Sequence, residues 1–153
     1  MIQLLIRLAA DWAMIPIVLI SAYALVYKIP KRQRLKSYSM ILVAGLTAYL
    51  FAKLVGYIYQ PETLRPFEIA GQAAGATFLN NAGFPSDHVL FASFLTSAVW
   101  FTTKQKIITW VLILLVVTVG VGRVLALVHT PIDVIGGIFI ALVGSLWYLN
   151  EKT

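Results

Sequence analysis

The chain has 153 residues, of which 60% are hydrophobic and only 12% are charged, and its net charge is +6. A soluble domain carries about 25% charged residues, so this composition excludes an ordinary soluble protein and indicates a surface that faces lipid. Cysteine is absent, which excludes disulfides and thiol catalysis. The length predicts one domain, residues 1–153.

Five apolar segments predict an all-α fold, a polytopic membrane bundle of about five transmembrane helices. They run from about Ala10 to Tyr27, Tyr38 to Tyr59, His88 to Thr103, Ile107 to Val128 and Pro131 to Asn150. Most of them approach the ~20 residues that a helix needs to cross a bilayer core. The third segment is short, so we expect it to start as early as Pro85 or to lie buried among its neighbours.

The N-terminal stretch MIQLLIRLAADW is too short and too charged to span a membrane, which makes it a candidate for an interfacial amphipathic segment. The apolar run that overlaps its end also resembles a signal peptide, with a cleavage-like site at Ala22-Tyr23-Ala24. However, Arg7 is balanced by Asp11, and a basic cluster follows the run directly. These two features predict a retained helix.

The distribution of charge predicts the topology. The loop KIPKRQRLK carries five positive residues, and such short basic loops lie on the cytoplasmic side. Counting helices from this loop places the N-terminus, residues 60–85 and the turn at 128–131 outside, and the C-terminus inside. Ionisable groups in or beside membrane helices are functional candidates. Those that map to the extracytoplasmic end are Lys53, Arg65, Asp87, His88, Arg123, His129 and Asp133.

The stretch GRVLALVHTPID has the spacing R-x5-H-x3-D. Thr130, Pro131 and Asp133 predict a helix start with a capping box. Asp133 lies one turn after His129 and is placed to accept a hydrogen bond from one ring nitrogen. That bond would leave the other nitrogen as a nucleophile or base. A plain capping box beside an interfacial histidine is the alternative.

Two further stretches carry polar residues at the same end. In GFPSDH, Ser86 is a predicted N-cap, and His88 in the first turn is expected to point into the anion site of that helix N-terminus. The alternative is an ordinary helix start. In KLVGYIYQPETLRPF, apolar neighbours predict a buried Lys53, and Arg65 falls in the loop. A snorkelling lysine and a solvated loop arginine are the alternatives there.

Together these residues indicate a chemistry. Three cations and a helix N-terminus suit a dianionic phosphate and its transition state. Two histidines suit double displacement, with one as the nucleophile and one as the general acid. Because no cluster has metal-ligand spacing, we predict metal-independent phosphoryl transfer without a cofactor.

The sequences PSDH and R-x5-H-x3-D resemble the second and third motifs of the phosphatidic acid phosphatase type 2 superfamily, which includes the vanadium haloperoxidases. The resemblance covers about residues 53–133. It implies that His129 is the nucleophile that forms a phosphohistidine, that Asp133 orients it, and that His88 is the general acid. The phosphate ligands that it implies are Lys53, Arg65, Ser86 and Arg123, and Asp87 is grouped with them as a substrate-binding candidate.

Three departures from the family pattern bear on this interpretation. Gly122 stands where a serine usually precedes the arginine. Asp87 replaces a glycine, as in bacitracin-resistance-type undecaprenyl pyrophosphate phosphatases, which favours that substrate. The first motif is also out of register, since Lys53 lies twelve positions before Arg65 rather than seven, where Gln60 falls. We prefer Arg65 to Gln60 because Arg-Pro matches the motif and a loop can absorb extra residues.

The resemblance implies a membrane lipid phosphatase that recycles the cell wall lipid carrier in the bacterial plasma membrane. Its substrate would be a lipid phosphate, and no nucleic acid partner is expected. One alternative is a glycerolipid phosphatase acting on phosphatidic acid or phosphatidylglycerophosphate. Another is a membrane protein or transporter that binds lipid phosphates without catalysis. A haloperoxidase is disfavoured because those enzymes are soluble.

Overall fold

The computed structural model describes residues 1–59, 64–79, 81 and 83–149, and the regular structure in this part of the chain is entirely helical. A π-helical turn, Leu8–Trp12, joins the first two helices, and short 3-10 turns precede the third helix and follow the seventh. The helical bundle that the composition predicts is confirmed. The helices are α1 (Ile2–Arg7), α2 (Met14–Tyr27), α3 (Arg34–Ile58), α4 (Pro66–Ile69), α5 (Asp87–Thr103), α6 (Lys106–Leu125) and α7 (Pro131–Ser145).

The helices differ in whether they are long and apolar enough to span a membrane. Within the described ranges, four stretches are long and apolar enough to span one, and they are Ile2–Tyr27, Lys31–Ile58, Lys106–Leu125 and Pro131–Tyr148. Helix α5 has 17 residues, which gives a length of roughly 25 Å. It packs against α2, α3, α6 and α7, and Val89, Ala92 and Val99 on it are fully buried. The short third segment is therefore the central helix of the bundle.

The N-terminal segment differs from the expected separate interfacial piece. It is helical and continues through the π-helical turn into α2, so that Ile2–Tyr27 forms one stretch of 26 residues. Its charges do not prevent this, because Arg7 is exposed near the start and Asp11 is paired with a residue of α6. Ala10 in the π-helical turn is fully buried, so this turn is part of the packed bundle.

Close packing between α5 and α7 positions the start of both helices. A Cβ atom added to Gly137 would lie 2.9 Å from the backbone oxygen of Ser86 and 3.1 Å from the backbone nitrogen of Leu90. Only glycine permits this approach. The N–H of Ser86 also donates to the backbone oxygen of Asp133 at 3.0 Å. The N-termini of α5 and α7 are therefore held side by side.

Residues 64–79 and the turn at 126–128 meet at one end of the bundle, which we call the loop end. Residues 64–79 lie against the turn at 126–128 there: the N–H of Phe67 donates to the oxygen of Leu127 at 2.9 Å, and the N–H of Gly75 donates to that of Ala126 at 3.0 Å. The basic loop between α2 and α3 lies at the opposite end. The structure thus separates the basic loop from the predicted site residues by the length of the bundle.

Candidate active site at the loop end

The third motif forms the start of α7. Thr130 is the N-cap, and its side-chain oxygen accepts from the N–H of Asp133 at 3.3 Å, while Asp133 Oδ2 accepts from the N–H of Thr130 at 2.7 Å. The predicted capping box is confirmed. His129 Nδ1 lies 3.4 Å from the same Asp133 Oδ2. This contact is longer than an ordinary hydrogen bond, and Nδ1 has no hydrogen-bond partner among the residues that the structure describes.

The surroundings of His129 favour its neutral form. The residue is only 5% exposed, and burial lowers the pKa of His129 below its usual value, an effect that the positive charges of Arg123 and Arg65 reinforce and that Asp133 opposes. A neutral imidazole is the nucleophilic form. Since Nδ1 faces Asp133, Nε2 is the nitrogen available for attack.

Replacing Asp133 by asparagine is expected to lower kcat by about 10²- to 10⁴-fold, less than replacing His129 by alanine, because the imidazole stays in place. The acid limb of the kcat/KM profile is expected to move to lower pH. The limb moves to lower pH because Asp133 raises the pKa of His129, and loss of the carboxylate lowers that pKa further. Measurements of kcat and kcat/KM between about pH 4 and about pH 8 check both effects.

Thr130→Ala is the matched control for this variant, since it removes the cap hydroxyl and keeps the carboxylate. Loss of an N-cap destabilises a helix by about 1 kcal/mol, so this control should melt earlier and retain near-normal turnover. Equal losses of activity in the two variants would assign the effect to the helix start and contradict a role for the His129–Asp133 contact.

Arg123 lies in the last turn of α6 and is 1% exposed. Its Nη1 donates to the backbone oxygen of Thr77 at 2.6 Å and to Asp11 Oδ1 at 3.0 Å. Its Nε is buried and has no hydrogen-bond partner in the described part of the chain. Asp11 was not among the predicted site residues, because its charge was interpreted as balancing that of Arg7. The available signal was a carboxylate in an apolar helix at the same predicted end as the other ionisable groups.

The second motif forms the start of α5. Ser86 is the N-cap residue, as predicted, but its side chain makes no capping hydrogen bond. Its hydroxyl is instead buried with no partner among the residues that the structure describes, which leaves it able to bind a ligand. His88 is half-buried in the first turn, and it lies within electrostatic range of Arg123, Asp11 and His129. The two histidines are therefore at the same end of the bundle.

Arg65 is the N-cap residue of α4 and is only 7% exposed. Its Nη1 donates at 2.7 Å to the backbone oxygen of Val128, the residue before His129. Its Nη2 donates to the backbone oxygen of Leu79 at 2.8 Å and to Asn81 Oδ1 at 3.0 Å. The loop thus carries Arg65 to the third motif despite its displaced register. Gln60, the alternative for this position, lies outside the described residues.

Lys53 and Asp87 form a pair across α3 and α5. Lys53 Nζ lies 3.7 Å from Asp87 Oδ1, and Asp87 Oδ2 accepts from the side-chain amide of Asn81 at 3.0 Å. The side chain of Lys53 is 49% exposed, so the predicted burial of this lysine is wrong. Helix α3 buries its stripe of small residues, such as Ala52, against the bundle, and Lys53 lies beside that stripe.

Asp87 is better placed to orient cations than to ligate phosphate. It bridges Lys53 to Asn81, and Asn81 in turn binds Arg65. An ionised carboxylate also repels a phosphate anion. This geometry favours a positioning role for Asp87 and gives the replacement of the family's glycine a structural consequence.

Three basic groups of the loop end each lie beside a carboxylate. Asp11 binds Arg123, Asp87 binds Lys53, and Asp133 contacts His129. The carboxylates of Asp11 and Asp87 thus compensate the positive charges of Arg123 and Lys53. Among the residues that the structure describes, no group of three or more histidine, cysteine or acidic side chains is arranged to hold a metal ion.

Comparison with known proteins supplies the family. The sequence profile of the PAP2 superfamily matches residues 34–151 of this chain, a range that includes every predicted site residue. No curated protein and no solved structure matches the chain significantly. The membrane members of the superfamily are lipid phosphatases, and the apolar helices of this chain account for its insertion into a bilayer. The chain therefore belongs to the PAP2 superfamily and is an integral membrane lipid phosphatase.

Proposed function

We propose that the protein hydrolyses undecaprenyl pyrophosphate to the monophosphate at the outer face of the bacterial plasma membrane, through a phosphohistidine and without a metal ion. The observation that supports this most directly is the buried His129, held 3.4 Å from Asp133 and adjacent to the backbone oxygen that binds Arg65. A site that only bound phosphate would need cations and no histidine–carboxylate pair.

In the first step, Nε2 of His129 attacks the terminal phosphorus. The P–N bond forms as the bond between that phosphorus and the bridging oxygen breaks. His88, which takes up a proton when the anionic substrate binds, donates it to the departing oxygen, and the lipid monophosphate leaves. Arg123, Arg65 and the hydroxyl of Ser86 stabilise the charge on the three equatorial oxygens. The carboxylate of Asp133 stabilises the positive ring that results from the attack.

In the second step, water attacks the phosphohistidine. His88, now neutral, accepts a proton from that water, and the P–N bond breaks to release inorganic phosphate and restore His129. The same residue therefore serves as acid and then as base. His88 thus regains in the second step the proton that it donated in the first. Neither step uses a cofactor.

The arrangement of cations suits a pyrophosphate. Arg65 and Arg123 are buried beside the third motif, whereas Lys53 is half-exposed between α3 and α5. A cavity of about 350 Å³ adjoins this lysine and is lined mainly by apolar side chains, including those of Phe91 and Phe94. We assign the transferred phosphate to the arginines, the second phosphate to Lys53, and the start of the isoprenoid chain to this cavity.

The proposed orientation rests on charge. The basic loop at residues 28–36 lies at the end of the bundle opposite the site, and positive loops favour the cytoplasm. This arrangement supports an extracytoplasmic active site, an extracytoplasmic N-terminus and a cytoplasmic C-terminus.

The experiment that tests the function measures phosphate release by the detergent-purified chain with EDTA present. Undecaprenyl pyrophosphate, phosphatidic acid and phosphatidylglycerophosphate are compared at equal mole fraction in the micelle, with His129→Ala as the control. We expect release that depends on His129, is insensitive to EDTA and is fastest with the pyrophosphate.

The other outcomes discriminate between the alternatives. Faster release from either glycerolipid would keep the mechanism and overturn the substrate. Loss of release in EDTA, with recovery on adding a divalent cation, would contradict the metal-free mechanism. No release from any of the three lipids would favour a membrane protein or transporter that binds lipid phosphates.

A further inference from the structure

The N-terminal helix contributes a charged residue to the loop end although it lies outside the family match, which begins at residue 34. Asp11 sits in the π-helical turn Leu8–Trp12. Its Oδ1 accepts from Arg123 Nη1 at 3.0 Å, and its Oδ2 accepts from the N–H of Thr77 at 3.0 Å. One carboxylate therefore joins the first helix, the outer loop and the buried arginine of the third motif.

The contact depends on an unusually close approach of two backbones. A Cβ atom added to Gly122 would lie 2.6 Å from the nitrogen of Ala10 and 2.8 Å from the carbonyl carbon of Ala9. Both are backbone atoms that cannot move aside cheaply, so a serine at position 122 would push the two helices apart. Since Asp11 follows Ala10 and Arg123 follows Gly122 in the chain, the same approach sets the distance between the two charged residues.

Among the described residues, the hydrogen bonds of Arg123 leave one edge of its guanidinium free. Nη1 of Arg123 carries both the contact with Asp11 and the bond to the backbone oxygen of Thr77 at 2.6 Å. Nε has no partner among the described residues although Arg123 is 1% exposed. An arginine binds the oxygens of a phosphate through such an edge of its planar fork. Because the two bonds at Nη1 fix the plane of the guanidinium, its free edge has a defined orientation before an anion binds.

We propose that Asp11 is a positioning residue that orients Arg123 for phosphate, and that Gly122 is the small residue that lets the first helix reach it. The inference rests on the proposed phosphate site. It makes the N-terminal helix, through its π-helical turn, a part of the active site. It also explains the departure from the family pattern at position 122, because a serine there is incompatible with the contact.

The test is equilibrium binding of orthovanadate to the 153-residue chain in detergent, measured by calorimetry. Vanadate adopts the five-coordinate geometry of phosphoryl transfer, and its binding needs no lipid and no turnover. We expect Asp11→Ala to weaken vanadate binding roughly 10- to 100-fold, the order of effect that a misplaced binding group produces. Gln3→Ala, which changes an exposed side chain on the same helix, should bind as the wild type does.

Two further variants separate positioning from a general structural role. Asp11→Asn can accept from Arg123 but presents an amide that cannot accept from both partners, so its affinity should fall between those of the wild type and Asp11→Ala. Asp11→Asn also replaces the alanine variant in the binding test if Asp11→Ala fails to fold. The double variant Asp11→Ala/Arg123→Ala should bind vanadate no more weakly than Arg123→Ala alone, because Asp11 acts only through the arginine.

Wild-type affinity in both Asp11 variants would overturn the inference, and so would fully additive losses in the double variant. Absence of vanadate binding by the wild-type chain would contradict it as well. These results are distinct from failure of the proposed function, which is the absence of phosphate release from the three lipids by a wild-type chain that still binds vanadate in an Asp11-dependent way.

Discussion

Replacing His129 by alanine is expected to reduce turnover to below a few per cent of the wild-type rate, and by at least about 10³-fold if this residue is the nucleophile. No other side chain can take its place, because the only other histidine of the chain is His88, which the mechanism uses as the acid. The helix start should survive, since the capping box joins Thr130 and Asp133 and does not involve the imidazole.

Trapping the intermediate makes this prediction specific. Wild-type protein mixed with substrate labelled in its terminal phosphate and quenched in alkali should retain label, because phosphohistidine survives base and is lost in acid. His129→Ala should retain none, and its thermal unfolding should match that of the wild type. Label in the alanine variant, or a rate above a few per cent with normal folding, would contradict the assignment of His129.

Replacing His88 by alanine is expected to have an effect that depends on the leaving group. A general acid contributes about 10²- to 10⁴-fold, and it matters most when the departing oxygen is a poor leaving group. We therefore expect a large loss with phosphatidic acid, whose leaving group is an alkoxide. p-Nitrophenyl phosphate releases a stable phenolate, so formation of the phosphohistidine from it should be slowed far less.

The second step gives this variant a kinetic signature. Without His88, the mechanism has no residue that accepts the proton of the attacking water, so the phosphohistidine formed from p-nitrophenyl phosphate should accumulate. Stopped-flow measurements with p-nitrophenyl phosphate should show a burst of about one nitrophenol per active site, followed by slow turnover. Asp87→Asn changes the neighbouring residue of the same helix turn, and it should show no burst. Equal losses on both substrates without a burst would assign His88 a structural role.

Several features of the protein follow from local patterns in the sequence. Long apolar runs predicted the helical membrane bundle, because a helix in lipid satisfies its own backbone hydrogen bonds and needs only length and apolarity. The start of α7 at Thr130 was predictable because a capping box involves residues three positions apart. The position of Ser86 at the start of α5 was predictable from the preference of serine for the N-cap, although its side chain makes no capping hydrogen bond.

Other features depend on contacts between residues far apart in the chain. The ion pair of Arg123 with Asp11 spans 112 positions, and the bond from Arg65 to the oxygen of Val128 spans 63. No local period carries such information. The exposure of Lys53 was mispredicted because hydropathy shows that a residue lies in an apolar helix and does not show which face of that helix packs.

The sequence by itself determined the chemistry available at the loop end. Once the helices are counted, both histidines and a set of cations and carboxylates fall at that one end of the bundle. Only the tertiary structure decided which carboxylate meets which cation. The physical reason is backbone packing: the absence of a Cβ atom at Gly122 lets the first helix approach α6 closely enough for Asp11 to bind Arg123. A sequence shows a glycine at that position, but only the fold shows which backbone lies against it.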